Sequence, residues 1–152
     1  VLPSGHRMPV VGLGTAGLGA RKMLTFLLHG GRHLDSAQLY RNHGELRKAV
    51  RWAGQLGVPR EELFIVTKIH GGLFGRESTR QWFWSMLNET GLGYLDLVLL
   101  HGAGAEPGGH WPVMTKHMAC GSPSQCRRET WETLAGFLAE GRVRDIGIGA
   151  RS

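Results

Sequence analysis

The sequence predicts an α/β fold built on five parallel β-strands. Continuous apolar segments alternate with segments whose apolar residues recur every three or four positions, in the order βαβαβαβαβ. Strands that are joined through helices in this way lie parallel, with right-handed crossovers. A second observation is that ionisable residues stand at the ends of consecutive predicted strands. Together these features indicate one domain over residues 1–152 with a functional site at one end of its strands.

Five short apolar runs predict the strands, and each has the composition of a strand that is buried on both faces. The clearest is YLDLVLLH at 94–101, followed by LFIVTKI at 63–69. The three remaining runs lie at 9–14, 32–37 and 142–149.

Amphipathic segments between these runs predict four helices. Two of them span 20–29 and 44–53. The third is predicted to begin at a capping box formed by Ser78 and Gln81, in which each side chain would bond to a backbone N–H of the other residue. The fourth covers about 128–140.

The composition excludes several classes of protein. The net charge of +6 is spread along the chain and no recognition motif accompanies it, so we expect no nucleic-acid partner. No stretch reaches the ~18 apolar residues of a transmembrane helix, and we expect no membrane partner. The cysteines Cys120 and Cys126 make no disulfide framework, which favours a reducing compartment and a cytoplasmic location.

A glycine motif near the N-terminus leaves two folds open. Gly12-x-Gly14-x-x-Gly17 follows a predicted strand, precedes a helix and has Asp35 at the end of the next strand. This is the dinucleotide-binding fingerprint, and taken alone it favours a small Rossmann domain. A chance match is easy in a chain with 24 glycines among 152 residues. An equally good interpretation is that Gly14 and Thr15 end the first strand of a barrel.

The residues at the later strand ends decide between these folds. Asp35 ends the second strand and Tyr40 follows it, while Lys68 and His101 end the third and fourth. The same ends of consecutive parallel strands converge on one face, which in a (β/α) barrel is the catalytic face. A Rossmann domain has no need of Lys68 and His101 in register with Asp35, so the pattern favours the barrel.

The chain resembles the aldo-keto reductases across nearly its whole length. The matching stretches are LPSGHRMPVVGLGT, GGRHLDSAQLYRNHGELRKAV, PREELFIVTKI, LGYLDLVLLH and TWETL…EGRVRDIGIG. This resemblance implies a partial (β/α)8 TIM barrel with an N-terminal β-hairpin. It also implies an NADP(H)-dependent oxidoreductase that reduces a small aldehyde or ketone to an alcohol. The family's catalytic set falls on Asp35, Tyr40, Lys68 and His101.

Those four side chains suit carbonyl reduction. Hydride addition leaves negative charge on the carbonyl oxygen, so a proton donor is needed there, and we assign that role to Tyr40. The ammonium of Lys68 would stabilise tyrosinate, and Asp35 would balance the charge of Lys68. His101 would orient the carbonyl oxygen through a hydrogen bond.

The expected ligand contacts follow from the resemblance and, for Trp111, from the length of the loop 102–127, which indicates a pocket wall. The expected cofactor contacts lie at the ends of the first two strands: Gly14, Thr15 and Asp35. The expected substrate contacts are the acid, the histidine and an aromatic residue of the long loop 102–127: Tyr40, His101 and Trp111. For Trp111, packing on the barrel rim is an equally good interpretation.

Two assignments in this loop have alternatives. His110 lies in an HWP sequence that resembles the family's histidine motif, but His101 ends an uninterrupted strand and is therefore preferred. The spacing of His110, His117, Cys120 and Cys126 lacks the paired motifs of a zinc site, so no metal is expected.

The resemblance stops before a barrel is complete. A TIM barrel typically needs about 250 residues, and the family's later strands supply most contacts to NADP. Where the family usually has a Ser-Asn pair at the end of the fifth strand, this chain has Gly149 and Ala150. We therefore expect a truncated barrel that is inactive by itself and self-associates through open sheet edges. A truncated barrel acting as a binding or regulatory module, and a small Rossmann domain, are the alternatives.

Overall fold

Five strands form one parallel sheet in the computed structural model, which describes residues 1–102 and 120–149. The strands are β1 (Gly12–Gly14), β2 (His33–Asp35), β3 (Phe64–His70), β4 (Leu95–His101) and β5 (Val143–Gly149). The helices between them are α1 (Ala20–Leu28), α2 (His43–Gln55), α3 (Arg76–Thr90) and α4 (Pro123–Ala139). The predicted order of strands and helices is confirmed.

The strand order selects the barrel over the Rossmann fold. Each strand pairs with its neighbour in sequence, from β1 at one edge of the described sheet to β5 at the other. A Rossmann sheet instead places its first strand inside, between the second and the fourth. The Rossmann alternative is therefore wrong, and the sheet is the first part of a TIM barrel.

The two faces of the sheet carry separate apolar clusters. Ile65 and Ile69 of β3 pack in the large cluster that includes the helices. Phe64 and Val66 face the other way and join Leu97 in a smaller cluster. Because side chains alternate along a strand, every second residue of β3 after Phe64 and Val66 also points to the inner face of the curved sheet.

The N-terminal segment differs from the predicted β-hairpin. Among the described residues before β1 there is no strand, and a tight turn takes its place, with the Leu2 N–H 2.9 Å from the His6 carbonyl oxygen. The Ser4 N–H and hydroxyl both donate to the buried Asp145 carboxylate of β5, and Leu2 packs on the smaller apolar cluster. Side-chain contacts to the sheet, rather than a β-ladder, therefore hold this segment in place.

The start of α3 corrects the predicted capping box. The helix begins at Arg76, so Ser78 lies inside it and its hydroxyl donates to the Phe74 and Gly75 carbonyl oxygens, each at 3.3 Å. Residues of α4 accept the first N–H groups instead. Thr130 Oγ1 lies 2.8 Å from the Gly75 nitrogen, and Glu129 Oε2 lies 3.2 Å from the Arg76 nitrogen.

Helix α4 begins about five residues earlier than predicted. Ser122 is its N-cap, with its hydroxyl accepting a hydrogen bond from the Gln125 N–H at 3.2 Å, and Pro123 occupies the first turn. This arrangement satisfies an N–H group that would otherwise lack a partner.

The two cysteines are paired, contrary to the sequence expectation. Cys120 lies just before α4 and Cys126 in its first turns, so their Cα atoms are 5.5 Å apart and they form a disulfide. The early start of α4 is what brings them together. The argument for a reducing compartment therefore loses its basis, and these sulfurs do not serve as zinc ligands. Within the described ranges, no helix combines the length and apolar composition that a bilayer crossing needs.

A buried carboxylate ties together the amino-terminal ends of three strands. Asp96 is fully buried and accepts hydrogen bonds from Arg60 at 2.6 Å and Arg144 at 2.8 Å. It also accepts from the Ile65 N–H at 2.9 Å. The Arg60 and Arg144 guanidinium carbons lie over the Tyr94 ring, 4.0 and 4.3 Å from its centroid. This network lies opposite the strand ends that carry the predicted site.

Replacing Asp96 with Ala should strongly destabilise the protein. Arg60 and Arg144 would lose the carboxylate that balances them, and breaking a buried ion pair costs about 3–5 kcal/mol. Urea unfolding would measure this loss. Glu132→Ala is the control, since it breaks only the exposed pair with Arg76 and should cost less than about 1 kcal/mol. Equal effects of the two substitutions would contradict a supporting role for Asp96.

Candidate active site

The carboxyl-terminal ends of the strands bring the predicted residues to one place. Gly14 pairs in register with Asp35, and Lys68 pairs with Leu99. Lys68 continues the inward-facing series of β3, so its side chain enters the inner face near the rim. His101 is the last residue of β4. The positions of these residues follow directly from parallel pairing in sequence order.

The Lys68 ammonium is the charged centre of this cluster. Lys68 is 9% exposed, and its Nζ donates to the Asp35 carboxylate and, at 3.0 Å, to the Ser36 carbonyl oxygen. The Ser36 N–H in turn donates to the Val66 carbonyl oxygen at 2.9 Å, which fixes the acceptor against β3. A buried ammonium requires such partners, because burial alone would favour its neutral form.

The Tyr40 ring lies near both this ammonium and the His101 ring. The short 3₁₀ helix Gln38–Tyr40 carries the ring, with the Lys68 Nζ 5.5 Å from the ring centroid. The ring centroids of Tyr40 and His101 are 6.4 Å apart, and the rings meet edge to face at 88°. The structure thus groups Asp35, Tyr40, Lys68 and His101, and their catalytic roles stay predictions.

The expected cofactor residues adjoin the same cluster. The Thr15 N–H and hydroxyl donate to the Asp35 carbonyl oxygen at 3.0 and 3.2 Å, so the buried Thr15 holds β1 to β2. A Cβ atom added to Gly14 would meet no atom within 4 Å, which leaves open space at the inner face beside Asp35. Gly12 is explained by packing alone, because a Cβ there would lie 2.7 Å from the His33 ring.

Some predicted residues fall outside the described part of the chain. These are the candidate substrate aromatic, the alternative histidine and zinc ligands of the loop, and one residue after β5: Trp111, His110, His117 and Ala150. Gly149, which stands at the fifth strand end, pairs in register with His101.

His70 is a residue that the sequence analysis missed at this face. The third strand runs to His70, whereas the prediction ended at residue 69. His70 follows Lys68 on the inner face, and its Cα pairs with that of His101. Its Nδ1 accepts from the Gly72 N–H at 3.2 Å, and burial lowers its pKa, so the neutral ring carries its proton on Nε2. The alternation of Phe64, Val66 and Lys68 along β3 was the sequence signal that could have predicted the inward position of His70.

Asn42 is a second residue that the sequence analysis missed. Its Nδ2 donates to the Thr15 carbonyl oxygen at 2.6 Å and to that of Leu18 at 3.2 Å. It thereby ties the loop after β1 to the segment that carries Tyr40. Arg41, which stands between Tyr40 and Asn42, has a φ of 50°, and this conformation lets the chain turn from the 3₁₀ helix into α2.

His43 supports the cluster from the helix-facing side. It is 4% exposed, with its Nε2 3.3 Å from Thr67 Oγ1 and its Nδ1 3.3 Å from Glu89 Oε2. Burial lowers the pKa of His43 below its ordinary value of 6.5, and the Glu89 carboxylate offsets only part of this effect. Since Thr67 adjoins Lys68 in β3, this contact links α2 and α3 to the strand that carries the ammonium.

Comparisons with known proteins decide the family. The Aldo/keto reductase family model matches residues 11–152. The chain belongs to the aldo/keto reductase family. A solved aldo/keto reductase from Brucella melitensis superposes with a TM-score of 0.80 at 26% identity, covering 99% of this chain and 53% of that one. For the aldose reductase from Schistosoma japonicum the TM-score is 0.79 at 30% identity, with 96% and 50% of the two chains covered.

The relatives of this reductase-family chain are about twice as long. The "Uncharacterized oxidoreductase YtbE" of Bacillus subtilis (strain 168) is 32% identical over 153 residues, covering 97% of this chain and 48% of the relative. The "NADP-dependent D-sorbitol-6-phosphate dehydrogenase" of Malus domestica is 32% identical over 168 residues, covering 97% and 50%. The chain therefore spans about half the length of these relatives, and its match to them is that of a partial barrel.

The buried His43 should make the protein less stable in acid. Its pKa is lower in the folded state than the ordinary value of 6.5, so the unfolded state binds a proton first as the pH falls. The stability that neutral His43 contributes is complete above about pH 6.5 and is lost as the pH falls towards the folded-state value.

Urea unfolding at several pH values would measure this loss, and His43→Gln should show a weaker pH dependence. An equal pH dependence in the His43→Gln variant and the unmodified protein would contradict the assignment.

Proposed function

We propose that the protein is an NADP(H)-dependent oxidoreductase that reduces a small aldehyde or ketone, with Tyr40 as the proton donor. The observation that carries this proposal is the placement of Lys68. Its ammonium is paired with Asp35 and lies 5.5 Å from the centroid of the Tyr40 ring. In this proposal the cation assists Tyr40 in delivering its proton to a developing alkoxide.

The remaining groups fit distinct roles in the same step. Asp35 pairs with the ammonium, and the Ser36 carbonyl oxygen accepts a second hydrogen bond that fixes its direction. His101, whose ring centroid is 6.4 Å from that of Tyr40, would donate a hydrogen bond to the carbonyl oxygen and so orient the substrate. Tyr40 then passes its proton to that oxygen as negative charge develops there.

The nicotinamide cofactor is proposed from the family and from the space beside β1. The opening at Gly14 adjoins Asp35, where the nicotinamide-ribose end of the cofactor would fit. When bound, NADPH supplies the hydride. The choice of NADP(H) is supported by the Malus domestica relative, which is named as an NADP-dependent dehydrogenase. A cytoplasmic location and self-association through the edges β1 and β5 stay predictions.

These roles can be tested in a chimera with one of the longer relatives. A chimera would join residues 1–149 of this chain to the second half of the Bacillus subtilis relative. We expect aldehyde-dependent NADPH oxidation by the chimera. Tyr40→Phe should reduce the rate by at least about 100-fold, which is the range for a lost general acid, with NADPH affinity changed by less than about twofold.

The chain contains one other tyrosine, which provides a matched control. Tyr94 lies in the arginine network at the opposite end of the strands, so Tyr94→Phe should keep the rate. A Tyr40→Phe chimera as active as its parent would contradict the proposal. A chimera that binds NADPH but reduces no aldehyde or ketone would favour the binding-module alternative.

The histidine assignment can be tested in the same chimera. We expect His101→Ala to lower the rate severely, because the carbonyl oxygen would lose its orienting donor. If His101→Ala were harmless and His110→Ala severe, the role would belong to His110.

A further inference from the structure

A second imidazole stands beside that of His101 at the rim of the inner face. The Cα atom of His70, the last residue of β3, pairs in register with that of His101, the last residue of β4. Registered residues of neighbouring parallel strands lie about 4.8 Å apart and point to the same face of the sheet. Leu99, two residues before His101, packs on the apolar cluster of the inner face, so both histidines point inward, next to Lys68.

The backbone after β3 holds the His70 ring in one tautomer. The His70 Nδ1 accepts a hydrogen bond from the Gly72 N–H at 3.2 Å, so this nitrogen carries no proton. A Cβ atom added to Gly72 would lie 3.1 Å from the same Nδ1, which shows how closely the backbone approaches the ring. Burial lowers the pKa of His70 and so favours the neutral ring. The proton of that ring is therefore on Nε2, the nitrogen farther from the strand backbone.

The spacing of the two strands sets the distance at which a second oxygen of a substrate would meet this donor. In the proposed function His101 donates to the carbonyl oxygen, and the His70 ring starts one strand away, at about 4.8 Å. In an extended molecule, bonds of about 1.5 Å place an oxygen on the β-carbon about 4.8 Å from the carbonyl oxygen. An oxygen on the α-carbon lies at most about 3.6 Å away, by the same bond lengths. The β-position therefore matches the strand spacing better.

We propose that His70 is a specificity-determining residue that selects carbonyl compounds with a hydroxyl or oxo oxygen on the β-carbon. This inference rests on the proposed function, because it uses the carbonyl position beside Tyr40 and His101. The His70 Nε2–H would donate to the β-oxygen while His101 donates to the carbonyl oxygen. A substrate with an alkyl group in place of the β-oxygen makes no such bond, so it is reduced less efficiently.

Two substitutions separate this role from the contact that His70 makes with the backbone. His70→Leu removes both ring nitrogens, whereas His70→Gln replaces Nε2 with an amide nitrogen that can donate from a similar position. Both variants lack Nδ1, the acceptor of the Gly72 N–H. A difference between the two variants therefore reports the donor that faces the substrate, and not the loss of the backbone contact.

Kinetics of the chimera described above compare matched ketones. Diacetone alcohol carries a β-hydroxyl group, methyl isobutyl ketone has the same skeleton without it, and acetoin carries an α-hydroxyl group. His70→Leu should lower kcat/KM for diacetone alcohol at least about fivefold and change that for methyl isobutyl ketone less than about twofold. His70→Gln should retain most of the preference for diacetone alcohol. An unchanged preference in His70→Leu would overturn the proposal, and so would a stronger His70-dependent preference for acetoin.

NMR of the unmodified 152-residue chain, with ¹⁵N in the histidine rings, gives a second readout that needs no activity. The His70 signals are identified among those of the eight histidines by their loss in His70→Leu. We expect the ring proton on Nε2, and diacetone alcohol should shift that signal at concentrations where methyl isobutyl ketone does not. A proton on Nδ1, or equal shifts by the two ketones, would overturn the proposal. If the chimera reduced no ketone while this difference remained, the proposed function would fail and the binding preference of His70 would stand.

Discussion

The buried ammonium of Lys68 is the constraint on which the site depends. Because Lys68 is only 9% exposed, its ammonium needs hydrogen-bond partners within the protein, and the fold supplies two. The Asp35 carboxylate comes from the end of β2 and the Ser36 carbonyl oxygen from the turn that follows. These partners require β2 and β3 to be adjacent and parallel. The Tyr40 ring, three residues beyond Ala37, is then brought against the same charge.

The two ends of the sheet carry different groups of side chains. At the amino-terminal ends, Asp96 joins Arg60 of the segment before β3 to Arg144 of β5 around the Tyr94 ring. At the carboxyl-terminal ends, ionisable groups face an open inner surface. A (β/α) barrel is expected to separate stabilising contacts at one end of its strands from functional residues at the other, and the five strands of this chain separate the Asp96 network from the candidate site in the same way.

The sequence predicted the strand order and the grouping of the four polar residues because both follow from strong local patterns. Apolar runs define the strands, and parallel pairing then fixes which ends meet. The failures have non-local causes. Thr130 and Glu129 of α4 cap the start of α3, so Ser78 could not be recognised as an internal residue. The pairing of Cys120 with Cys126 depends on the early start of α4 at Pro123.

The missed support residues show the same limit. Asn42 acts through backbone carbonyls of a loop 24 and 27 residues earlier, and no spacing rule indicates such a contact. His43 stood just outside the predicted helix 44–53, and its contacts with Thr67 and Glu89 join residues 24 and 46 positions away. Only His70 was within reach of the sequence, because it continues the alternation of β3.

A double-mutant cycle between Asp35 and Lys68 tests the central claim most directly. Asp35→Asn leaves a buried ammonium without its carboxylate. Because the Asp35 side chain is 38% exposed, we expect a loss of about 1–3 kcal/mol of unfolding free energy, below the usual cost of breaking a fully buried pair. Adding Lys68→Met should recover most of that loss, giving a coupling of at least about 1 kcal/mol. If the two changes were additive within about 0.5 kcal/mol, the ion pair would not be the constraint that organises this site.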